Sequence, residues 1–167
     1  MERKGILSTF QELINSLLMA SQDFYGLRLV TVAAFGSVGR GVPRPDSDID
    51  ILIVADPLPD GRIRRVEEFE IVEKKLRTIL SEARSSGIYT YLSPIFKTPA
   101  EVRRGSPIFL DMLDDARILY DRGGFFAQEL EKLRLRMAEL KAKRIWKGDA
   151  WYWDLKPDFR PGDIFEI

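Results

Sequence analysis

Two aspartates, Asp48 and Asp50, lie two residues apart at the start of the short apolar segment 49–55. In a β-strand, side chains at i and i+2 point to the same face, roughly 6–7 Å apart at their origins, so the two carboxylates can converge. The segment has no basic residue beside them, and a divalent hard cation would relieve their repulsion. Mg²⁺ favours one or two carboxylates together with phosphate oxygens. The pair therefore predicts a metal site suited to phosphoryl transfer.

A turn of small residues precedes this pair. Gly36 follows the apolar segment 29–35 and lets a ligand approach the backbone closely. Ser37 offers a hydroxyl where a following helical turn would expose N–H groups to a phosphate. Arg40 and Arg44 lie in the same loop, where each either contacts phosphate or is merely solvated. A Gly-Ser turn or a strand-start aspartate alone is usually structural, whereas the two in this order favour a nucleotide site.

The composition limits the chemistry further. The 167 residues include no histidine and no cysteine, which excludes a disulfide, a thiolate nucleophile, a Cys/His zinc site and a Ser-His-Asp triad. Any catalysis must use carboxylates, lysine, tyrosine, hydroxyls, backbone amides or a bound metal ion. The 26 basic and 26 acidic residues give a formal net charge of zero, which argues against a nucleic-acid binder driven by bulk charge.

Two other clusters have competing interpretations. Basic residues gather at 62–65 and at 103–104, where a solvated helix face is favoured over a nucleic-acid site. They also gather along 132–147, where interleaved leucines favour packing against the core or another subunit over contact with RNA. Three tryptophans and a tyrosine fall within 146–153. They either fix the tail to the core or to a partner, which we favour, or stack on a base or sugar. No signal peptide or membrane span is indicated, so we expect a cytoplasmic protein that does not bind a membrane.

The elements that must position these residues follow from the apolar periodicity. Helical spacing predicts helices from about residue 6 to 24, over 62–86, from 99, over 106–115 and over 124–147. Short apolar runs predict strands at 29–35, 49–55, 88–96 and 117–120, with a loop at 36–47 and an irregular tail at 148–167. The alternation indicates an α/β (α+β) protein with a small mixed β-sheet flanked by helices. We expect one domain over 1–120, with a long C-terminal helix and aromatic tail, 121–167, packed on that domain or on a partner.

The strand, the Gly-Ser turn, the spacer and the Asp-x-Asp strand together resemble the signature of the DNA polymerase β-like nucleotidyltransferase superfamily. Ten residues separate Ser37 from Asp48, which matches the spacer of that signature. The fuller pattern looks most like the minimal nucleotidyltransferases of bacteria and archaea, and the matching residues are Gly36, Ser37, Arg40, Gly41, Ser47, Asp48 and Asp50. Gly39 departs from the pattern, because many relatives carry alanine there. The order of helices and strands extends the resemblance to about residue 96.

The resemblance implies the polymerase β-like nucleotidyltransferase fold and a Mg²⁺-dependent reaction. That reaction transfers a nucleoside monophosphate from an NTP to a small-molecule or protein acceptor and releases pyrophosphate. ATP is the NTP it favours, and Mn²⁺ is the alternative metal. The nucleotide-binding residues it implies are Gly36, Ser37, Arg40 and Ser47, and the catalytic residues, which also hold the metal, are Asp48 and Asp50.

The resemblance is incomplete at one position. The superfamily usually has a third carboxylate on a later strand, and the predicted strand 88–96 contains no acid. The residues that could stand in its place are Tyr89, Tyr91, Ser93, Glu101 and Asp111. Without that acid, the alternative is a catalytically weak or partner-dependent nucleotide-binding member, such as the antitoxin-like half of a two-protein toxin–antitoxin pair. The expected partners are the NTP, the acceptor, and either a second copy or a helical partner protein.

Overall fold

A four-stranded sheet in the order β3-β2-β1-β4 forms the centre of the computed structural model, which describes residues 3–148, 150–160 and 162–167. Met1, Glu2, Asp149 and Pro161 lie outside the described residues. The strands are β1 (Leu29–Phe35), β2 (Ile49–Ala55), β3 (Leu92–Lys97) and β4 (Arg117–Asp121). β1 pairs antiparallel with β2 and with β4, whereas β2 pairs parallel with β3. The predicted small mixed sheet is confirmed.

Helices cover both faces of this sheet. They are α1 (Arg3–Tyr25), α2 (Gly36–Gly39), α3 (Arg62–Ser85), α4 (Pro99–Arg103), α5 (Ile108–Asp115) and α6 (Phe125–Glu139). Short 3-10 turns lie at Gly26–Arg28 and Arg122–Gly124, and a separate hairpin follows α6, formed by β5 (Lys143–Lys147) and β6 (Ala150–Asp154). Among the described residues, no helix combines the length and the apolarity that a bilayer crossing needs.

The two inner strands are apolar at almost every position, which is typical of strands covered on both faces. All seven residues of β1 and six of the seven in β2 are buried. Because side chains alternate between faces, Ile51 and Ile53 pack with α1 and α3, whereas Leu52 and Val54 pack with α4, α5 and α6. Asp50 shares the second face by the same alternation. It stands at the start of β2, where this apolar packing ends.

Most of the predicted elements are confirmed to within a few residues. The short helix predicted from Pro99 is α4, and it begins with a capping box. In this box the Thr98 hydroxyl accepts the Glu101 N–H at 3.2 Å, and the Glu101 carboxylate accepts the Thr98 N–H at 2.8 Å. The third strand begins at Leu92 rather than at residue 88, because the preceding residues bond to the loop before β2: the Tyr89 N–H donates to the Pro45 carbonyl at 2.7 Å.

The prediction of one long helix over 124–147 is wrong, because α6 ends at Glu139. Lys141 adopts a left-handed conformation, with φ at 55°. The Ala142 N–H donates to the Met137 carbonyl at 2.9 Å, and the Lys141 N–H donates to the Ala138 carbonyl at 3.0 Å. These two bonds form a Schellman motif, which satisfies the last carbonyls of a helix and ends it.

The predicted irregular tail over 148–167 is also wrong, because part of it forms β6. β6 pairs antiparallel with β5, and the pairs include Arg144 with Trp153, Ile145 with Tyr152, and Trp146 with Trp151. Cross-strand aromatic pairs of this kind stabilise a hairpin. The Trp153 ring and Leu155 pack against the apolar cluster on the α5 and α6 side of the sheet. The hairpin therefore lies on the same face of the sheet as Asp50.

Candidate functional site

The two predicted carboxylates lie at one end of the central sheet. Asp50 is opposite Phe35, the last residue of β1, and on its other side it is opposite Ser93 of β3. Its side chain is half-buried, whereas Asp48 is exposed on the loop that leads into β2. The register places the carboxylate pair beside the point where β1 turns into α2.

The surroundings of Asp50 oppose a negative charge. Burial raises the pKa of the Asp50 carboxyl above its ordinary value, and the neighbouring charge of Asp48 raises it further. The nearby Ser93 hydroxyl and the charge of Arg40 act in the opposite direction. A bound cation would favour the ionised form of both carboxylates. Two acids with a hydroxyl beside them are hard oxygen donors, so the residues present fit a site for Mg²⁺ or Mn²⁺.

Gly36 brings the turn and the carboxylates into contact. Its φ of 64° is left-handed, a conformation that glycine adopts at little cost. A Cβ at this position would overlap the Asp50 Oδ2. The Asp50 carboxylate therefore lies directly against the α-carbon of Gly36, and the two halves of the predicted motif form one site.

The turn itself is a single turn of helix. The Arg40 N–H donates to the Gly36 carbonyl at 3.1 Å, and the Val42 N–H donates to the Ser37 carbonyl at 2.9 Å. Ser37 is partly exposed. No hydrogen bond links its hydroxyl to another group within the part of the chain that the structure describes, so the hydroxyl is available to a ligand.

Ser47 and Arg44 shape the loop before the carboxylates. The Ser47 hydroxyl is buried and accepts the Arg44 N–H at 2.9 Å, and the Ser47 N–H donates back to the Arg44 carbonyl at 3.0 Å. The structure therefore gives Ser47 bonds within its own loop. The Arg44 side chain is 79% exposed and lies 3.4 Å from Asp46, so of the two interpretations for Arg44 the solvated one fits the structure.

Arg40 lies between the carboxylate pair and α5. Its Nη1 donates to the Asp115 Oδ2 at 2.6 Å, and its charge acts on Asp50. Asp115 was not predicted as a site residue, although its side chain is only 6% exposed. The sequence offers one weak signal for it: Asp115 is the last residue of an apolar helix, and an acid that is buried there needs a charged partner.

The structure distinguishes the five residues that could replace the third carboxylate. Tyr89 and Tyr91 are more than half exposed, whereas Ser93 pairs directly with Asp50. Glu101 is bound to Arg65, and Asp111 lies in the electrostatic range of Arg144 and Asp115. Within residues 3–148, 150–160 and 162–167, no group of three or more acids is arranged to hold a metal ion. Ser93 therefore occupies the position beside the pair.

The bonds of Glu101 predict a structural role for this acid. Arg65 donates to both of its carboxylate oxygens, at 2.8 and 3.0 Å, and this contact, with the Thr98 N–H, lowers the Glu101 pKa to about 2. Glu101→Gln is expected to reduce the free energy of unfolding by about 1–2 kcal/mol at neutral pH, because a charge-assisted bidentate bond is lost. Glu70→Gln is the control, since Glu70 is exposed and only 3.9 Å from Lys74, and it should cost less than about 0.5 kcal/mol.

The difference in the free energy of unfolding between the wild type and Glu101→Gln should depend on pH. The Glu101 pKa is lowered in the folded state from the ordinary value of 4.5, so the unfolded chain binds the proton more tightly. The stabilisation is therefore complete above about pH 4.5 and is lost as the pH falls toward 2. Urea unfolding of the wild type and Glu101→Gln at several pH values should show the two curves converging in acid. A constant difference across that range would contradict the assignment.

Comparisons with known proteins give the family that the chain is similar to. A family model described as "Nucleotidyltransferase domain" matches residues 16–102. The candidate protein adenylyltransferase MJ1305 of Methanocaldococcus jannaschii is 30% identical over an alignment of 144 positions, which covers 83% of this chain and 90% of that protein. The spectinomycin adenyltransferase AAD(9) from Enterococcus faecialis, solved with ATP and spectinomycin, is 17% identical, with a TM-score of 0.50, over 78% of this chain and 66% of that one. A toxin–antitoxin structure with AMP-PNP is 18% identical, with a TM-score of 0.44, over 76% of this chain and 91% of that one.

Proposed function

Because the chain belongs to the nucleotidyltransferase domain family, of the polymerase β-like type that its motif predicted, we propose that it transfers a nucleoside monophosphate from an NTP, with ATP as the first choice, to an acceptor hydroxyl. The contact between Gly36 and the Asp50 carboxylate carries this proposal. It joins a turn with a free serine hydroxyl to a pair of acids in one partly open site. Those are the two parts that binding and activating a triphosphate require.

The reaction breaks one phosphoanhydride bond and forms one phosphoester bond. The acceptor oxygen attacks the α-phosphorus, and the bond from that phosphorus to the bridging oxygen breaks, with its electron pair leaving on pyrophosphate. Asp48 and Asp50 would hold Mg²⁺ or Mn²⁺, which when bound supplies positive charge to the phosphate oxygens. The chain has no histidine, so the proton of the acceptor passes to another base, such as a carboxylate or water.

The residues of the turn bind and orient the nucleotide. Gly36 has no side chain to block a phosphate, the Ser37 hydroxyl donates a hydrogen bond to it, and the Arg40 guanidinium adds positive charge. Ser47 acts through the shape of the loop, because its hydroxyl bonds to Arg44. Together these groups fix the triphosphate relative to the carboxylates, and positioning of this kind supplies much of the catalysis of phosphoryl transfer.

The acceptor that we propose is a protein side chain. The relative from Methanocaldococcus jannaschii is described as a candidate protein adenylyltransferase and is matched over 90% of its length, which supports this choice over a small molecule. We also propose that residues 1–120 form the nucleotidyltransferase domain and that 121–167 pack on it. Contacts of α6 with α4, α5 and β4 support that division.

A second candidate function rests on Ser93. Where a third acid is usual, this chain has a hydroxyl beside Asp50, and a hydroxyl contributes less negative charge to a metal site. The protein would then be a weak or partner-dependent nucleotide-binding member, such as one half of a toxin–antitoxin pair, and would need the partner to complete its site.

Radiolabelled nucleotides test the two functions together. The purified protein is incubated with Mg²⁺ and each α-labelled NTP, alone and with extract of the source cells, and labelled protein is separated from labelled small molecules. Label from ATP on a protein acceptor is expected. Transfer that requires added extract would favour the partner-dependent function. Failure of the wild type to bind any NTP in calorimetry would contradict both.

A further inference from the structure

A buried acid at the end of α5 joins the nucleotide turn to the C-terminal hairpin. Asp115 Oδ2 accepts from Arg40 Nη1 at 2.6 Å and from Arg144 Nη2 at 3.2 Å. Arg144 Nη1 lies 3.4 Å from the other oxygen, Oδ1, so that this guanidinium holds both oxygens. A carboxylate with 6% exposure needs such partners, because an unpaired charge in the interior is costly. The Asp115 side chain at the end of α5 therefore connects the residue that follows α2 to β5.

The backbone supports the same junction. A Cβ at Gly39 would overlap the backbone oxygen of Asp115 and lie 2.9 Å from that of Ala34. The end of α2 is thus packed directly against the end of α5 and against β1. This close approach accounts for glycine at the position where the family pattern often has alanine. It also means that the Arg40–Asp115 pair has little freedom to move apart.

The rings of two tryptophans hold the Arg144 side chain in place. The pairing of β5 with β6 puts Arg144 and the three tryptophans, Trp146, Trp151 and Trp153, on one face of the hairpin. The Arg144 Cζ lies 3.9 Å from the centre of the Trp151 ring and 4.9 Å from that of Trp146, which is well within cation–π range. The Arg144 side chain is only 14% exposed. The hairpin therefore presents a rigid guanidinium to Asp115.

We infer that the hairpin β5–β6 positions Arg40 for the triphosphate through Arg144 and Asp115, and that the hairpin responds to nucleotide binding. The inference rests on the proposed function, in which Arg40 contacts the nucleotide. Arg40 uses one nitrogen on Asp115, and its side chain is 38% exposed, so the remaining donors of its guanidinium are available to phosphate. Coupling between two sites is reciprocal. If the hairpin affects nucleotide binding through Arg40, then nucleotide binding must also affect the hairpin.

The distribution of charge explains the expected effect. With Arg144 in place, two guanidinium groups share the negative charge of Asp115, and part of the positive charge of Arg40 remains for a ligand. Without Arg144, Asp115 is neutralised by Arg40 alone and its carboxylate can rotate. The affinity for the nucleotide should then fall, while Asp48 and Asp50 keep their places in the site.

Steady-state kinetics provide the first test. Arg144→Gln is expected to raise KM for ATP roughly tenfold, the effect of one charge-assisted hydrogen bond, with kcat within about twofold of the wild type. Arg144→Lys should give an intermediate KM, because lysine retains the charge but loses the two-point contact and the ring stacking. Arg77→Gln is the matched control, since Arg77 is exposed on α3, which packs on the opposite face of the sheet, and its KM should equal that of the wild type.

Tryptophan fluorescence provides the second test. The chain has three tryptophans and all of them lie in the hairpin, so the emission reports on the hairpin alone when it is excited where adenine does not absorb. Addition of ATP and Mg²⁺ should produce a saturable change, with a midpoint equal to the Kd from calorimetry. The change should be lost in Arg40→Gln even at ATP concentrations that saturate that variant.

The outcomes separate the two proposals. Wild-type transfer with a silent hairpin, together with a normal KM for Arg144→Gln, would overturn the inference and leave the proposed function standing. Absence of ATP binding to the wild type would overturn both. If Arg144→Gln fails to fold, Arg144→Gln with Asp115→Asn removes the buried carboxylate that only Arg40 would still neutralise. KM is still expected to rise, because the Arg40 guanidinium, although its charge is then free, is no longer held in position by a carboxylate. A normal KM in this double variant would also contradict the inference.

Discussion

Asp48→Asn and Asp50→Asn are each expected to lower the rate of nucleotide transfer at least about 10³-fold, the effect of losing several kcal/mol of metal-dependent stabilisation. The change keeps the size of the side chain and removes one charge. Asparagine at position 50 should also remove the cost of burying a charge and the repulsion from Asp48, which together raise the Asp50 pKa. The variant is therefore expected to be at least as stable as the wild type while being inactive, and loss of activity by unfolding can be excluded by thermal unfolding.

Asp46→Asn is the matched control for these variants. It makes the same chemical change in the same loop, but the Asp46 side chain is 72% exposed and its partner, Arg44, is solvated. Its transfer rate should equal that of the wild type. Binding of Mn²⁺ in the presence of ATP, followed by paramagnetic resonance, gives a readout that is independent of turnover, and it should weaken for Asp48→Asn and Asp50→Asn only. Full transfer by Asp50→Asn would show that this carboxylate is not a catalytic residue.

Two helix ends show why the fold could be predicted only in part. α3 and α6 end with the same pair of backbone hydrogen bonds, which join residues five and three positions apart. At α3 the left-handed residue is Gly87, with φ at 84°, and glycine is a visible stop signal. At α6 it is Lys141, a residue that favours helix. The sequence therefore predicted the end of α3 and extended α6 by eight residues, across β5.

The candidate site could also be predicted only in part, because some of its contacts are local in sequence and others are not. The residues from Gly36 to Asp50 are close in sequence, so a local pattern contains the turn, the spacer and the carboxylate pair. The choice of Ser93 over Tyr89 or Tyr91 depends on the register between β2 and β3, which the side-chain alternation of one strand cannot supply. The contacts of Asp115 with Arg40 and Arg144 join residues 75 and 29 positions apart. Such contacts follow from the packing of α5 and the hairpin, and no local pattern predicts them.

Gly36→Ala is expected to lower transfer at least about 10²-fold, because the new Cβ would displace the Asp50 carboxylate, and a shift of about 1 Å in a catalytic group can have that effect. It should also reduce the free energy of unfolding by about 2–4 kcal/mol, the combined cost of a left-handed alanine and of overpacking. Circular dichroism during thermal unfolding and the labelled-nucleotide assay measure the two effects on the same sample.

Gly41→Ala separates the effect of backbone strain from the effect of displacing the Asp50 carboxylate. Gly41 has a similar left-handed backbone, with φ at 72°, but a Cβ there would meet no atom within 4 Å. This variant carries the backbone cost alone, about 1–2 kcal/mol, and should lower the Tm by a few degrees with transfer near the wild-type rate. If both variants lost activity equally, backbone strain in the turn would explain the loss. A large loss in Gly36→Ala alone would mean that catalysis requires the Asp50 carboxylate to rest against the α-carbon of Gly36, and that glycine is needed there for space as well as for conformation.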